Sequence, residues 1–361
     1  MERWKFFWWS SFLCSIIMQR RLVLWLIFQQ YEYNAFKIPR FYKRFCYFLV
    51  VLGHVIQFSD NSFDNNILFR YIYSFHMPLF MFTSGFASCK QKNPYFIVNK
   101  TISYHIPLKD GLFQIKKRLL QLLLPFFAWF IIGEFVHWRF EPIQLYRLVM
   151  NPEVGLWFLW CLFFISTMFT MIHMLVRKNH LLFMILAAII LFGMTGIFDI
   201  KIFGLKLIAY YNMFYLMGYF IRSNLTCITP ILMKYVWLFL LLFIVLAYFW
   251  RRQEMPSFMD VDSYLIRTLY KIVVACMGIF ATFALSLKYV MQDNSAKYMR
   301  ILLHLGTITL GVYACHFLVI SPVLLIFSGL WYPLKLVLAF ILVTTLSYTC
   351  LLYTSPSPRD M

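Results

Sequence analysis

Long apolar stretches alternate with short polar ones along the chain. The apolar windows are about 17 to 25 residues long, apart from a shorter first one, and they lie at residues 45–58, 69–88, 119–137, 155–176, 181–198, 203–221, 230–250, 267–287, 301–326 and 331–353. A helix of this length crosses the hydrocarbon core of a bilayer, and the strict alternation typical of a membrane barrel is absent. The pattern predicts an all-α fold, a polytopic transmembrane helix bundle with about ten membrane-spanning helices.

The two ends of the chain are set apart from the predicted bundle. Residues 1–36 contain a further hydrophobic segment at 6–28, which is interrupted by the polar run Gln-Arg-Arg at 19–21. Four alternatives stay open for it: an extra span, a signal anchor, an interfacial amphipathic segment or a mis-assigned start. The last residues, TSPSPRDM at 354–361, change character abruptly and resemble a translated sequencing-adapter tail, so we expect them to be non-native.

Composition agrees with a membrane environment. Hydrophobic residues make up 62% of the chain and charged residues 13%, with a mean hydropathy of +0.73, whereas soluble domains are about 45–50% apolar. The eight cysteines stand singly, so neither a disulfide framework nor a metal site is expected. The net charge of +19 is explained by topogenic bases facing anionic lipid. The expected partner is therefore the lipid bilayer, and no nucleic acid is expected.

Basic residues are distributed unevenly between alternate loops. If the segment before residue 47 is cytoplasmic, alternation places 17 lysines and arginines on that side and 6 on the other. The first loop of the poorer side, SDNSFDNN at 59–66, carries two aspartates and no base. Since basic loops tend to stay in the cytoplasm, we expect both ends of the ten-helix core to be cytoplasmic. The polar stretch 89–118 is then expected to be a long cytoplasmic loop.

Two short runs each place a histidine inside a stretch that otherwise reads as membrane-spanning: His54 in LVVLGH and His76 in YSFHMPLFMFTSGF. An ionisable side chain in lipid is costly and indicates a functional site. Lys43 precedes His54 by eleven residues, close to three helical turns, so the two side chains share a face about 16 Å apart. Gly53 permits a close backbone approach beside His54. The short loop between the two helices places both histidines at similar depth, where they could line one cavity; helix packing through hydrogen bonds is the alternative.

These motifs resemble the opening of the acyltransferase-3 family of integral membrane acyltransferases, especially its fucose 4-O-acetylase-like branch. LVVLGH with a base eleven residues before the histidine, and FHMPLF followed by SGF, carry the resemblance. Further runs agree in order: KKRLLQLLLPFFAW, GLWFLWCLFF, YYNMFYLMGYF and LGTITLGVYACH. Arg40 stands where the family usually has aspartate, Lys43 where arginine is common, and Gln121 where a second arginine is expected after Arg118. Residues 37–353 are then expected to form an acyltransferase-like transmembrane domain.

The resemblance implies acyl transfer from cytoplasmic acetyl-CoA to a hydroxyl of a carbohydrate or lipid-linked glycan, in a bacterial inner (cytoplasmic) membrane. Acetyl-CoA is then the acyl donor, and no permanently bound cofactor is expected. Abstraction of a hydroxyl proton requires a base poised near neutrality, and a partly desolvated imidazole supplies one. We assign His54 as the general base and His76 as the second catalytic candidate.

Donor phosphates require cations at the cytoplasmic mouth. The candidates are Lys43, Lys116, Lys117 and Arg118, with a purely topogenic role as the alternative. Ser84 and His316 are candidates for substrate binding, with helix packing as the alternative for both. The alternative function is a secondary transporter for a polar solute, although the inverted repeats and paired broken helices common in transporters are not visible in the sequence.

Overall fold

The computed structural model describes residues 37–89, 106–136, 141–177, 179–198, 200, 202–252, 254, 256, 263–291 and 309–354. The segments 1–36 and 355–361, on which two of the sequence predictions fall, lie outside these residues. Within them the regular elements are helices, which confirms the predicted all-α fold. The α-helices are α1 Lys37–Ser59, α2 Ile67–Ser88, α3 Leu108–Arg118, α4 Leu124–Val136, α5 Pro142–Met150, α6 Trp157–Leu175, α7 His180–Ile197, α8 Leu205–Ser223, α9 Leu225–Lys234, α10 Val236–Phe249, α11 Tyr264–Met291, α12 Thr309–Ile326 and α13 Tyr332–Thr354.

Several helices are long and apolar enough to cross a membrane, so the protein is a multi-pass membrane protein. In the described part of the chain, Leu108–Val136, Trp157–Leu175, His180–Ile197 and Leu265–Ser286 qualify singly. Cys227–Lys234 and Val236–Phe249 qualify as a pair bent by 63°. Shorter apolar helical stretches cover Cys46–Ser59, His316–Ile326 and Tyr332–Ser347. Helices overlap all ten windows of the sequence pattern, while ten as the number of spans stays a prediction.

Helices α1 and α2 are antiparallel and are joined by a tight connection at residues 60–66. The side chain of Asn66 caps α2, because its oxygen accepts the backbone N–H groups of Leu68 at 2.9 Å and Phe69 at 3.2 Å. Asn66 also donates from its Nδ2 to the hydroxyl of Tyr332 at 3.2 Å, which brings the start of α13 to the same place. We call this end of the bundle the turn end and the opposite end, where α2, α6 and α8 finish, the far end.

Helix α2 lies at the centre of the bundle, between α1, α8, α10 and α11. It touches α8 backbone to backbone: a Cβ added to Gly85 would lie 1.9 Å from the carbonyl oxygen of Tyr215, and one added to Gly218 would lie 2.0 Å from that of Phe82. Small residues allow membrane helices to approach closely and pack by dispersion. The two glycines therefore set the spacing of the central helix pair.

Helix α1 is buried on two faces. Cys46 and Val50 join the main core against α2, while Val51 and Val55 pack with residues of α12 and α13 in a second cluster. Positions 50 and 54 are four residues apart and share a stripe of the helix, whereas 51 and 55 follow the neighbouring stripe. His54 shares the helix face of Val50, next to the face that packs on α12. It therefore lies where α1 contacts both α2 and α12.

Two segments differ from the sequence prediction. The stretch 89–118 is not loop throughout, since residues 108–118 form α3, which continues through a π-helical turn at Leu119–Leu123 into α4. This polar helix is held by α6: Arg118 donates to the carbonyl oxygen of Ser166 at 2.6 Å, and Ile106 donates its N–H to that of His173 at 3.1 Å. The window 230–250 is likewise broken, between α9 and α10.

Candidate active site

His54 lies on α1 near the turn end and is half-buried. Its Nδ1 is 3.0 Å from the hydroxyl oxygen of Tyr73 on α2. The Tyr73 hydroxyl in turn donates to Oε1 of Gln57, one turn along α1 from His54. A chain of three polar side chains thus connects the two helices at the depth of the imidazole.

The tyrosine ring reaches this position because of the glycine beside His54. A Cβ added to Gly53 would lie 2.7 Å from Cε2 of Tyr73, so only a residue without a side chain leaves room for the ring against α1. Phe69 stacks on the same ring with centroids 3.9 Å apart. The sequence predicted a close backbone approach at Gly53, whereas the group that approaches it in the structure is the side-chain ring of Tyr73.

His76 is buried on α2, one turn from Tyr73, and their ring centroids are 4.7 Å apart. Its Nδ1 lies 2.8 Å from the carbonyl oxygen of Ile72. A carbonyl oxygen only accepts, so Nδ1 carries the proton and, in the neutral ring, Nε2 is the acceptor. Tyr73 is in contact with both histidines, which brings the two predicted catalytic residues to one site.

His316 of α12 completes this group of imidazoles. It is fully buried, and its ring centroid lies 5.2 Å from that of His54. Phe317 contacts both rings, at 4.6 Å from His54 and 4.4 Å from His316. The sequence placed His316 among the substrate-binding candidates, and the fold brings it directly beside the proposed base.

The predicted donor-binding bases are spread over two helices. Lys43 lies in α1, and its side chain falls outside the described part of the structure. Lys116 is exposed and Lys117 half-buried on α3. Arg118 turns towards α6, where it also donates to the Thr170 hydroxyl. Their role in donor binding stays a prediction.

Ser84 lies on α2 towards the far end, one residue before the glycine that contacts α8. Its hydroxyl donates to the carbonyl oxygen of Phe80 at 2.9 Å within the same helix. This bond satisfies the hydroxyl proton, and the oxygen keeps a lone pair for a further donor. Substrate binding by Ser84 stays a prediction.

A second pair of histidines lies at the far end. His173 of α6 and His180 of α7 are buried, with ring centroids 4.6 Å apart. The hydroxyl oxygen of Tyr219 on α8 is 3.3 Å from Nε2 of His173. The pair ties the ends of three helices together and is separate from the His54 site.

Sequence reasoning missed Tyr73, Gln57 and Arg252, which all contribute to the His54 site. The guanidinium carbon of Arg252 lies 5.7 Å from the centroid of the Tyr73 ring. A signal for Tyr73 was present, since it stands three residues before His76 and therefore on a neighbouring position of the same helix face. Nothing along the chain indicated Arg252. In the described ranges no group of three or more His, Cys, Asp or Glu residues is arranged to hold a metal ion.

Comparison with known proteins gives a family match over most of the chain. Residues 41–352 match the model of the acyltransferase-3 family, described as an acyltransferase domain. The chain is 27% identical to the nodulation protein NolL of Mesorhizobium japonicum over 210 residues, which are 55% of this chain and 51% of that protein. The match thus covers about half the length of this curated relative. No solved structure shows significant similarity to the chain.

The family match favours an enzyme over the transporter that the sequence left as an alternative. It covers both histidine motifs and extends from within α1 to within α13. The chain therefore belongs to the acyltransferase-3 family, whose model is described as an acyltransferase domain, and is a multi-pass membrane protein.

Proposed function

We infer that the protein moves an acetyl group from cytoplasmic acetyl-CoA to a hydroxyl of a carbohydrate or lipid-linked glycan, with His54 as the general base. The observation that carries this proposal is the polar chain from His54 through Tyr73 to Gln57. A base whose second nitrogen is hydrogen-bonded to a fixed partner has the arrangement expected for general-base catalysis. Assignment to the fucose 4-O-acetylase-like branch belongs to the same proposal.

The hydrogen bonds of Tyr73 indicate which imidazole nitrogen is the base. Tyrosine has one hydroxyl proton, and here it is donated to Gln57. The Tyr73 oxygen therefore accepts at its contact with His54, so that His54 Nδ1 carries a proton. In the neutral ring Nε2 then holds the lone pair. This tautomer supports His54 Nε2 as the atom that takes the proton from the acceptor.

The proposed reaction is a direct transfer. The acceptor hydroxyl gives its proton to His54 Nε2 while its oxygen attacks the carbonyl carbon of the acetyl thioester. The new carbon–oxygen bond forms, the carbon–sulfur bond breaks, and the imidazolium returns the proton to the departing CoA sulfur. Atoms and charge balance without any further reactant.

The surroundings of His54 favour this chemistry. Phe317 and the ring of Tyr73 cover the imidazole, and exclusion of water strengthens the electrostatic interactions of the reacting groups. His76 contacts the same tyrosine and is the second catalytic candidate. His316, beside His54, is proposed to contact the acceptor.

The donor is proposed to enter from the far end. The bases Lys43, Lys116 and Lys117 belong to the basic side of the predicted topology, which is cytoplasmic by the positive-inside rule. Lys116 and Lys117 are proposed to attract the donor phosphates, while Arg118 holds α3 on α6. The membrane is then the bacterial inner membrane, with acceptor and donor reaching His54 from opposite ends.

The test is transfer of radiolabelled acetyl from acetyl-CoA in membranes that contain the protein. His54→Ala is expected to lower the rate by about 10² to 10⁴, the usual effect of removing a general base. His180→Ala, which removes a buried histidine from the far end, is the matched control and is expected to keep most of the activity. Near-normal turnover by a correctly inserted His54→Ala protein would contradict the assignment.

A further inference from the structure

Basic side chains gather at the turn end, directly above the His54 site. Arg70 of α2, Arg251 and Arg252 after α10, and Lys271 of α11 meet at the connection 60–66. Arg70 is almost fully buried. Because burial raises the cost of a charge, this concentration of cations around one point favours a nearby anion.

The hydrogen-bond partners of these cations are mostly neutral. Arg70 donates to the carbonyl oxygens of Asp64 at 2.9 Å and Tyr248 at 3.0 Å. Arg251 donates to the same Asp64 carbonyl at 2.8 Å, and Lys271 to that of Arg252 at 2.6 Å. Carbonyl dipoles satisfy the N–H groups but leave the positive charges in place.

Among the described residues, a carboxylate at this connection, that of Asp64, binds a backbone group and also attracts Lys271 electrostatically. The carboxylate of Asp64 accepts the backbone N–H of Arg252, at 3.1 and 3.2 Å. Glu254 is exposed in the stretch that follows. In the part of the chain described here, the cluster therefore has more bases than acids.

The backbone of Arg252 is held in place near Tyr73 and the proposed base His54. Its backbone N–H donates to the carboxylate of Asp64, in the connection 60–66, and its carbonyl oxygen accepts from Lys271 of α11. Its side chain is exposed, and its guanidinium carbon lies 5.7 Å from the centroid of the Tyr73 ring. Since the Tyr73 hydroxyl contacts His54, an anion bound by Arg252 would lie one aromatic ring away from the proposed base.

We propose that Arg252 and Lys271 bind a phosphate or diphosphate group at the turn end, and that this group belongs to the acceptor. Guanidinium and ammonium donors around one point match the several oxygens and the high charge of a phosphate. The assignment to the acceptor rests on the proposed function. Phosphate binding itself does not, since it requires neither acetyl-CoA nor His54.

The proposal is tested by binding to the purified full-length protein in detergent. The probes are farnesyl diphosphate, inorganic pyrophosphate and the uncharged alcohol farnesol, and the dissociation constants come from ligand-dependent shifts of the melting temperature. Arg252→Gln is expected to weaken phosphate binding by about 10- to 100-fold, the range for loss of hydrogen bonds to a charged group. Arg252→Lys should retain most of the affinity.

Arg147→Gln is the matched control, because Arg147 is an exposed base on α5, away from the cluster. Lys271→Gln serves as a second variant should Arg252→Gln not yield folded protein.

Preference for farnesyl diphosphate over pyrophosphate indicates a lipid-linked phosphate, and equal binding indicates a soluble one; both support the site. The site is overturned if neither phosphate binds, if the affinity does not depend on Arg252, or if farnesol binds as tightly as the phosphates. Loss of acetyl transfer in His54→Ala is measured separately, so failures of the two proposals are distinguishable.

Discussion

Substitution of Tyr73 by phenylalanine tests the proposed arrangement of the base most directly. The change removes one oxygen atom and retains the ring that stacks on Phe69 and contacts His76. It deletes both hydrogen bonds of the chain, to His54 Nδ1 and to Gln57. Without an acceptor for the Nδ1 proton, the imidazole is free to adopt the other tautomer, in which Nε2 is protonated and cannot act as a base.

The size of the effect follows from the groups left without partners. A polar group that loses its buried partner costs about 1–3 kcal/mol. If that energy is lost from the transition state, kcat falls by about 5- to 150-fold, since about 1.4 kcal/mol corresponds to a factor of ten. The effect should be smaller than that of His54→Ala, because a positioning residue orients the base without replacing it.

The assay separates positioning from binding. Tyr73→Phe is expected to lower kcat while the KM for acetyl-CoA stays unchanged, since the tyrosine is proposed to touch neither the donor nor its phosphates. Gln57→Leu should have a similar effect, and the double variant should be no worse than either single one, because both act through the same proton. A Tyr73→Phe protein with the wild-type kcat would refute the reasoning.

Three further predictions concern packing, the donor and topology. Gly85→Leu is expected to prevent folding, measured as loss of the monodisperse peak in size-exclusion chromatography, because even the Cβ would lie 1.9 Å from a carbonyl oxygen of α8. A stable, active Gly85→Leu protein would contradict the close helix contact. Joint replacement of Lys116 and Lys117 by glutamine should raise the KM for acetyl-CoA and leave kcat unchanged; an unaltered KM would leave them a topogenic role only. In a background without other cysteines, Asn61→Cys should react with an impermeant thiol reagent in intact cells and Asn93→Cys only after the membrane is opened, and the reverse pattern would invert the orientation.

The sequence alone predicted the long apolar helices and two histidines of the candidate site, His54 and His76. Apolar windows located the long apolar helices because the bilayer requires long apolar segments with internally satisfied backbones. His54 and His76 were found because an ionisable group is rare in such a segment. The helix at 108–118 was not expected, since its polar composition resembles that of a loop; in the structure Arg118 joins its end to α6 by a hydrogen bond.

What only the tertiary structure decided is which side chains meet across helices. Tyr73 joins His54 because α1 and α2 pack closely at Gly53, and His316 arrives from a helix more than two hundred residues further along the chain. Periodicity assigns a residue to a face of its own helix, but the partner of that face depends on how all the helices pack. In a membrane nearly every face is apolar, so the sequence contains little information about which faces will be neighbours, and the site was assembled by packing alone.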